Sequence, residues 1–192
     1  MTPSLILASA SPRRSDLLTQ LGLKHNIQIA DIDETVYPNE KPADYVVRVA
    51  HEKSRVIQQR NNNTDIILAA DTSVVLNDYI MGKPENLEHA LSMLTSLSGN
   101  THQVYSAISL RGQSTQQAVS ISNVTFRILS ESEIINYWHT GEPADKAGAY
   151  AVQGLASIFI QSIQGSFSGI MGLPLFETAQ LLSNEGIKVF NE

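Results

Sequence analysis

The sequence predicts an α/β protein built on a mixed, twisted sheet with flanking helices, and three observations carry that prediction. Short apolar runs alternate with amphipathic stretches of helical length, the succession expected of strands and helices that share a core. Two long extended runs, residues 101–110 and 116–128, are separated only by polar residues around Gly112 and read as a hairpin. Hairpin partners run antiparallel, so the sheet is not a purely parallel, doubly wound one. The chain of 192 residues fits one domain, 1–192, arranged as two lobes around a cleft.

Each element has a local reason. Leu5-Ile6-Leu7 is a short buried strand. Ser11 suits an N-cap and Pro12 the first helical position, with Leu17, Leu18 and Leu21 forming an apolar stripe before Gly22. Residues 27–33 read as a strand running into the acidic turn Asp31-Ile32-Asp33-Glu34. Pro42 opens a long helix to Arg60, with Tyr45, Val46, Val49, Val56 and Ile57 toward the core, and Asn61-Asn62-Asn63-Thr64 is a polar loop. Ile66 to Ala70 form a buried strand ending at Asp71, and the chain stays extended from Thr72 to Leu76 before a turn at Asn77-Asp78. Gly82-Lys83-Pro84 leads into a helix over 86–97 that Gly99 stops. After the hairpin, Ser130-Glu131-Ser132-Glu133 has capping-box spacing and opens a helix through Trp138. Residues 141–154 read mainly as a loop with a short ordered turn. A strand over 158–163, a Gly/Ser loop over 165–172, a helix over 175–182 and a last strand over 187–190 complete the chain.

Composition excludes several classes of function. With 42% hydrophobic and 17% charged residues, the chain can bury a sizeable core. A formal net charge of -6 argues against a general nucleic-acid binder, which needs a basic face. The absence of cysteine removes disulfides, thiolate metal sites and a thiol nucleophile. No apolar stretch approaches the roughly 18 residues of a membrane span, and the first residues lack the pattern of a secretory signal. The expectation is a cytoplasmic protein with no membrane or nucleic-acid partner. A homodimer stays open.

Against that acidic background, the basic residues fall in particular places. Arg13 and Arg14 lie in the first turn of a helix, where the dipole favours acids, so an anion is what rewards them. Free backbone N–H groups, hydroxyls and two guanidinium groups at one strand-to-helix turn suit a polyphosphate. Asp71, placed at the carboxyl end of a buried strand, can hold a divalent cation or take a proton from water. Lys83, on a loop before a helix, suits a phosphate, though the chain holds no P-loop. Gln153 carries a donor and an acceptor that can read the edge of a base. The five histidines show no metal-ligand spacing, and neither H-E-x-x-H nor G-x-S-x-G is present. Hydrolysis here would use carboxylate, metal and cations in place of a covalent nucleophile.

Taken together, these blocks are specific. Leu7-Ala8-Ser9-Ala10-Ser11-Pro12-Arg13-Arg14, Ala70-Asp71-Thr72, Gly82-Lys83-Pro84, Ser98-Gly99-Asn100-Thr101-His102-Gln103-Val104, the polar stretch from Glu142 to Gly154, and Gly172-Leu173-Pro174-Leu175 follow one another in that order. In this they resemble the Maf family of nucleoside triphosphate pyrophosphatases along essentially the whole chain. The resemblance implies a fold like that of the inosine triphosphatases. It also implies hydrolysis of a nucleoside triphosphate to the monophosphate and pyrophosphate with a divalent metal cation, Mg²⁺ or Mn²⁺.

Position by position, the resemblance makes Asp71 the catalytic proton acceptor or a metal ligand, with Glu34 as a second acidic position. It makes Ser9, Arg13, Arg14, Lys53 and Lys83 phosphate-site residues. Arg13, Thr72 and Gln153 match the positions tied to base preference in the branch acting on dTTP and UTP. A branch acting on 7-methyl-GTP differs around Gln153, and an inosine-type purine activity or a nucleotide-binding regulator of cell division is the alternative. The chain departs from the family pattern at Ser106-Ala107, where Thr and a small residue are usual, and at Ser168-Gly169-Ile170-Met171, which stands for Asn-Val-Val before Gly-Leu-Pro.

Overall fold

In the computed structural model, which describes residues 4–61 and 64–190, the predicted mixed sheet forms. Asn62 and Asn63 of the predicted polar loop lie outside the described residues. The strands are β1 (Leu5–Leu7), β2 (Asn26–Ile27), β3 (Ile66–Leu76), β4 (Tyr79–Met81), β5 (Thr101–Arg111), β6 (Thr115–Phe126) and β7 (Ile160–Gln164). They lie in the order β2-β1-β3-β5-β6-β7, with β4 on the flank of β3. The β1 pairings with β2 and β3 are parallel, and the pairings among β3, β4, β5, β6 and β7 are antiparallel. The helices are α1 (Pro12–Gln20), α2 (Pro42–Gln58), α3 (Leu87–Leu97), α4 (Glu131–Trp138), α5 (Phe167–Met171) and α6 (Leu175–Asn184).

Alternation along β3 sorts its side chains onto two faces. Ile67 and Ala69 pack with Ile6, Ala8 and Ile57 of α2. On the opposite face, Ile66, Leu68 and Ala70 pack with Leu17 and Leu18 of α1, Leu173, and Leu182 of α6. Farther along that second face, Val74 joins a separate core with Leu94, Phe126, Ile134 and Tyr150. Thr72 stands between the two cores as the one polar residue on that face of β3. Cross-strand register sets Ser106 beside Thr72 and Ser120 beside Ser106. A row of hydroxyls therefore separates the cores, and with them the two lobes.

The outer edge of β3 opens at the same level. β1 pairs with Ile66, Ile67 and Leu68, while β4 pairs with Val74, Val75 and Leu76. Asp71 is at the centre of the segment between them. It thus lies mid-strand, which corrects the expectation that it ends one; its access comes from the change of edge partner.

Several other elements differ from expectation. The predicted strand over 27–33 shrinks to two residues, because Ile27 and Ile29 are exposed and find no face to bury. The predicted Gly/Ser loop contains α5, whose N-cap Ser166 accepts from Gly169 N at 3.0 Å. No strand forms over 187–190, where Ile187 packs singly on the α1–α6 core and Phe190 is exposed. The strand expected from 158 starts at Ile160, after a 3₁₀ turn over Leu155–Phe159. β4 was not expected: Asn77 and Asp78, both at positive φ, turn the chain straight back on β3. The capping box at Ser130 and Glu133 forms as predicted. No described helix is long and apolar enough to cross a membrane.

His102 is buried against the core that holds Val74, Phe126 and Tyr150. Its Nε2 shares a hydrogen bond with the Tyr150 hydroxyl at 2.8 Å, and its ring stands edge-on to Phe126. Burial pushes its pKa down to about 4, so the native state holds the ring neutral while the unfolded chain protonates near pH ~6.5. The sign follows: this stability is complete above the unfolded value and is lost as pH falls toward 4. Replacing His102 with Gln should flatten acid destabilisation across that window by about 3 kcal/mol, read from denaturant unfolding at several pH values. An unchanged pH slope would contradict it.

Candidate active site

The turn from β1 to α1 is organised around Ser9. Its hydroxyl accepts from Ser11 N and from Arg14 Nη1, each at 3.1 Å. Ser11 has N-cap backbone geometry, but its side chain makes no capping bond. Adjacent helical positions diverge by about 100°, so Arg13 and Arg14 part company instead of forming the expected pair of forks. Arg14 turns inward. Its Nε donates to Gly172 O at 2.8 Å, and its Nη2 reaches Thr72 Oγ1 at 3.4 Å. Burial lowers the pKa of this guanidinium, opposed by the charge of Asp71. Gly172 presents that carbonyl from a backbone conformation, φ +124°, that favours glycine. Arg13 turns outward across the cleft to Asp145, 3.5 Å away.

Asp71 points to the α2 side of the sheet, the face opposite to Thr72. Lys53 on α2 meets it there: Nζ lies 2.9 Å from Asp71 Oδ1 and 2.9 Å from Glu34 Oε1. Asp71 is 5% exposed and Lys53 8%. Burial raises the carboxyl pKa of Asp71, and Lys53 and then Arg14 work against that rise. Glu34 is held from its backbone, whose carbonyl accepts the Tyr45 hydroxyl at 2.9 Å. No cluster of three or more His, Cys, Asp or Glu residues suited to a metal occurs among the described residues. Two carboxylates joined by one lysine nevertheless fit a hard cation such as Mg²⁺, which takes one or two protein carboxylates and completes its shell with water and phosphate.

The second lobe supplies the far wall. Residues 142–149 form two 3₁₀ turns, Glu142–Asp145 and Ala147–Ala149. Gly148 N donates to Gly82 O at 3.0 Å, tying this wall to the loop that carries exposed Lys83. A Cβ on Gly148 would lie 2.8 Å from Val74, and its φ is +67°, so glycine is required twice over. Glu142 holds the next segment. Its carboxylate accepts from Leu155 N at 2.9 Å, Ala156 N at 3.3 Å and the Tyr137 hydroxyl at 2.7 Å, while Ala151 N donates to that hydroxyl at 3.2 Å. Gln153, exposed on the cleft wall, is carried between these anchors.

All the predicted site residues line one cavity of about 360 Å³: Ser9, Arg13, Arg14, Glu34, Lys53, Asp71, Thr72, Lys83 and Gln153. Sequence reasoning counts Lys146 with Arg13, Arg14, Lys53 and Lys83 among the basic residues at or near a motif, but it assigns no role to Lys146, to Asp145 or to the anchor Glu142, although all three stand in the polar block before Gly154. The missed signal was an alternation of charge across that block, from Glu142 to Asp145 and Lys146. The two departures from the family pattern meet in space: Ser106 donates to Gly169 O at 2.6 Å and shares a 2.8 Å bond with Thr72.

Comparison with known proteins follows the same lines. The family model described as Maf-like protein matches residues 4–185. A dTTP/UTP pyrophosphatase of Nitrosomonas europaea is 51% identical over 199 residues, covering 97% of this chain and 96% of its own. A dTTP/UTP pyrophosphatase of Methylococcus capsulatus is 52% identical over 184 residues, covering 95% and 91%. A HAM1 protein from Coxiella burnetii superposes with a TM-score of 0.51 at 15% identity, over 95% of this chain and 99% of that one, and so shares the fold.

The Glu142 anchor yields a prediction. Glu142→Gln keeps the shape but sets an NH₂ donor against a backbone N–H or the Tyr137 hydroxyl. It should cost about 1–3 kcal/mol of stability, the range for leaving a buried hydrogen-bonding group unsatisfied. Hydrogen exchange should quicken first at Leu155 and Ala156. Wild-type stability and exchange would show that the carboxylate anchors nothing.

Proposed function

The chain belongs to the Maf family, and from that premise we propose that it hydrolyses dTTP and UTP to the monophosphate and pyrophosphate. The observation that carries this reading is the polarity of the cleft. At one pole, Lys53 lies between Asp71 and Glu34, and with buried Arg14 acting on Asp71 the two carboxylates are balanced by two cations. Arg13, Lys83 and Lys146 stand at the other pole, with Asp145 as their acid. A triphosphate laid against the positive pole brings its α-phosphorus toward the carboxylates.

In this reading, Asp71 is the proton acceptor. Lys53 holds Oδ1 and so fixes the carboxyl plane, and Oδ2 takes a proton from water. The water oxygen bonds to the α-phosphorus, the bond from that phosphorus to the α–β bridging oxygen breaks, and pyrophosphate leaves with the electron pair. Arg13, Lys83 and Ser9 bind the departing oxygens, and Arg14 keeps Ser9 and Thr72 in place. A divalent cation, Mg²⁺ or Mn²⁺, would be held by Glu34 with phosphate and water oxygens, or by Glu34 and Asp71 together where Asp71 is metal ligand in place of base, and would neutralise charge on the phosphates. The raised pKa of Asp71 suits the role, since a more basic carboxylate is the better acceptor.

Asp71→Asn should leave the fold intact and lower kcat by at least about 10²–10⁴-fold, the usual contribution of a positioned base. The acidic limb of kcat/KM in the wild type should lie above the ordinary Asp value of about 3.9, because activity needs the ionised form and burial resists it. Lys53→Met should move that limb to higher pH. A folded Asp71→Asn protein with wild-type turnover would remove the assignment, and dTTP binding without pyrophosphate release would favour a nucleotide-binding regulator.

Base choice rests on Gln153. Thymine and uracil offer two carbonyls flanking a ring N–H, so the amide of Gln153 can donate to one carbonyl and accept from the N–H. Cytosine reverses that pattern, so an amide held in one orientation leaves polar groups unpaired, at about 1–3 kcal/mol for each one that the bound base covers, whereas a freely flipping amide would accept CTP. We expect dTTP and UTP to exceed CTP, ATP and GTP in kcat/KM, and Gln153→Ala to narrow the gap over CTP. A preference of the wild type for 7-methyl-GTP or ITP would overturn the pyrimidine reading and leave the reaction class standing.

A further inference from the structure

A carboxylate occupies the meeting point of two cleft cations. Asp145 closes the 3₁₀ turn Glu142–Asp145 in the second lobe, and Arg13 reaches it from α1 in the first. Its Oδ2 lies 3.5 Å from Arg13 Nη1, while its Oδ1 pairs with Lys146 Nζ. The three members are not equally held. The Lys146 side chain is only 14% exposed and also donates to Glu142 O at 3.3 Å, and the Arg13 side chain is 24% exposed. The Asp145 side chain is 62% exposed, so the acid is the member free to leave.

Its sign also distinguishes this cluster from the Lys53 cluster. Lys53 serves two acids, and an anion that drew it away would leave Asp71 buried without its cation. Asp145 is one acid serving two cations, and an anion that displaces it finds both ready. A carboxylate presents two oxygens on one centre. A phosphoryl group presents the same arrangement with more oxygens and more charge.

We propose that Lys146 is a phosphate-binding residue of the cleft, and that Asp145 is an internal stand-in for phosphate which an arriving triphosphate displaces. The proposal rests on reading the cleft as a triphosphate site. Before substrate arrives, Asp145 keeps Arg13 and Lys146 oriented on one point and joins the lobes across the mouth. After the reaction, it competes with pyrophosphate for the same cations and so favours product release. It thereby limits affinity for substrate and for product alike.

The test compares Asp145→Asn and Lys146→Met with wild type, using pyrophosphate binding by calorimetry and KM for dTTP, with thermal melts to verify folding. Asp145→Asn should bind pyrophosphate about two- to fivefold more tightly and lower KM for dTTP by a similar factor, the reach of a partly exposed ion pair. It should not raise kcat. Lys146→Met should weaken pyrophosphate binding by about tenfold or more, as expected on losing a hydrogen bond to a charged group, and should erase the gain when combined with Asp145→Asn. Pyrophosphate binding that is unchanged or weaker in folded Asp145→Asn overturns the stand-in role, whatever happens to turnover. Wild-type binding in Lys146→Met overturns its role as a phosphate ligand. Because pyrophosphate binding is read without turnover, a wild-type protein that binds pyrophosphate yet fails to hydrolyse dTTP would count against the proposed function alone.

Discussion

A carboxylate buried in the middle of a β-strand has to be paired, and the pairing of Asp71 with Lys53 is the constraint around which this molecule is arranged. Desolvating one ion costs several kcal/mol unless a partner repays it. Lys53 is therefore bound to lie on the face of α2 that packs against β3, and the long α2 delivers it there while Tyr45, Val46, Val49 and Ile57 bury the remainder of that face. Because Lys53 also takes Glu34, the loop before α2 is drawn to the same point, and the Tyr45 hydroxyl holds its backbone. One ion cluster thus fixes a strand, a helix and a loop.

The second constraint lies on the opposite face of the same strand. Thr72 interrupts what would otherwise be one continuous apolar surface, and Ser106 and Ser120 extend the interruption across the sheet. Two cores form in place of one, and Arg14 spans the seam by binding Ser9, Thr72 and Gly172 together. A buried polar seam of this kind must be satisfied throughout. The hydrogen bond from Ser106 to Gly169 shows how far the requirement reaches, since it joins the two places where this chain departs from its family pattern.

These two constraints give the cleft its electrical character. Asp71 and Glu34 approach from the α2 side, while Arg13, Lys83 and Lys146 approach from the rims of the two lobes. In an acidic chain of net charge -6, such a local cationic bank is held in place by particular turns and not by composition. The left-handed Gly148, pressed on Val74 and bound to Gly82, is one of them. Glu142 is another: its carboxylate takes two backbone donors from the segment after Gln153 and the Tyr137 hydroxyl from α4.

Most of the architecture was legible in the sequence wherever a local rule sufficed. Pro12 and Pro42 opened their helices, Ser130 and Glu133 formed their capping box, and the long central hairpin paired as its alternation required. The site residues were legible as residue types in motifs, and the fold brings all of them to one cavity. Tertiary structure decided the rest. Weak local signals were settled by whether a face could be buried, so the strand expected over 27–33 kept only Ile27 at its start and none formed over 187–190. The divergence of Arg13 and Arg14 follows from helical geometry, but what each meets belongs to distant segments, Asp145 for one and Gly172 for the other. The same holds for the Lys53 bridge to Asp71 and Glu34. A sequence states which charges exist and which local turns they occupy, whereas Coulomb energy and desolvation depend on separations and burial that exist only once the chain has folded.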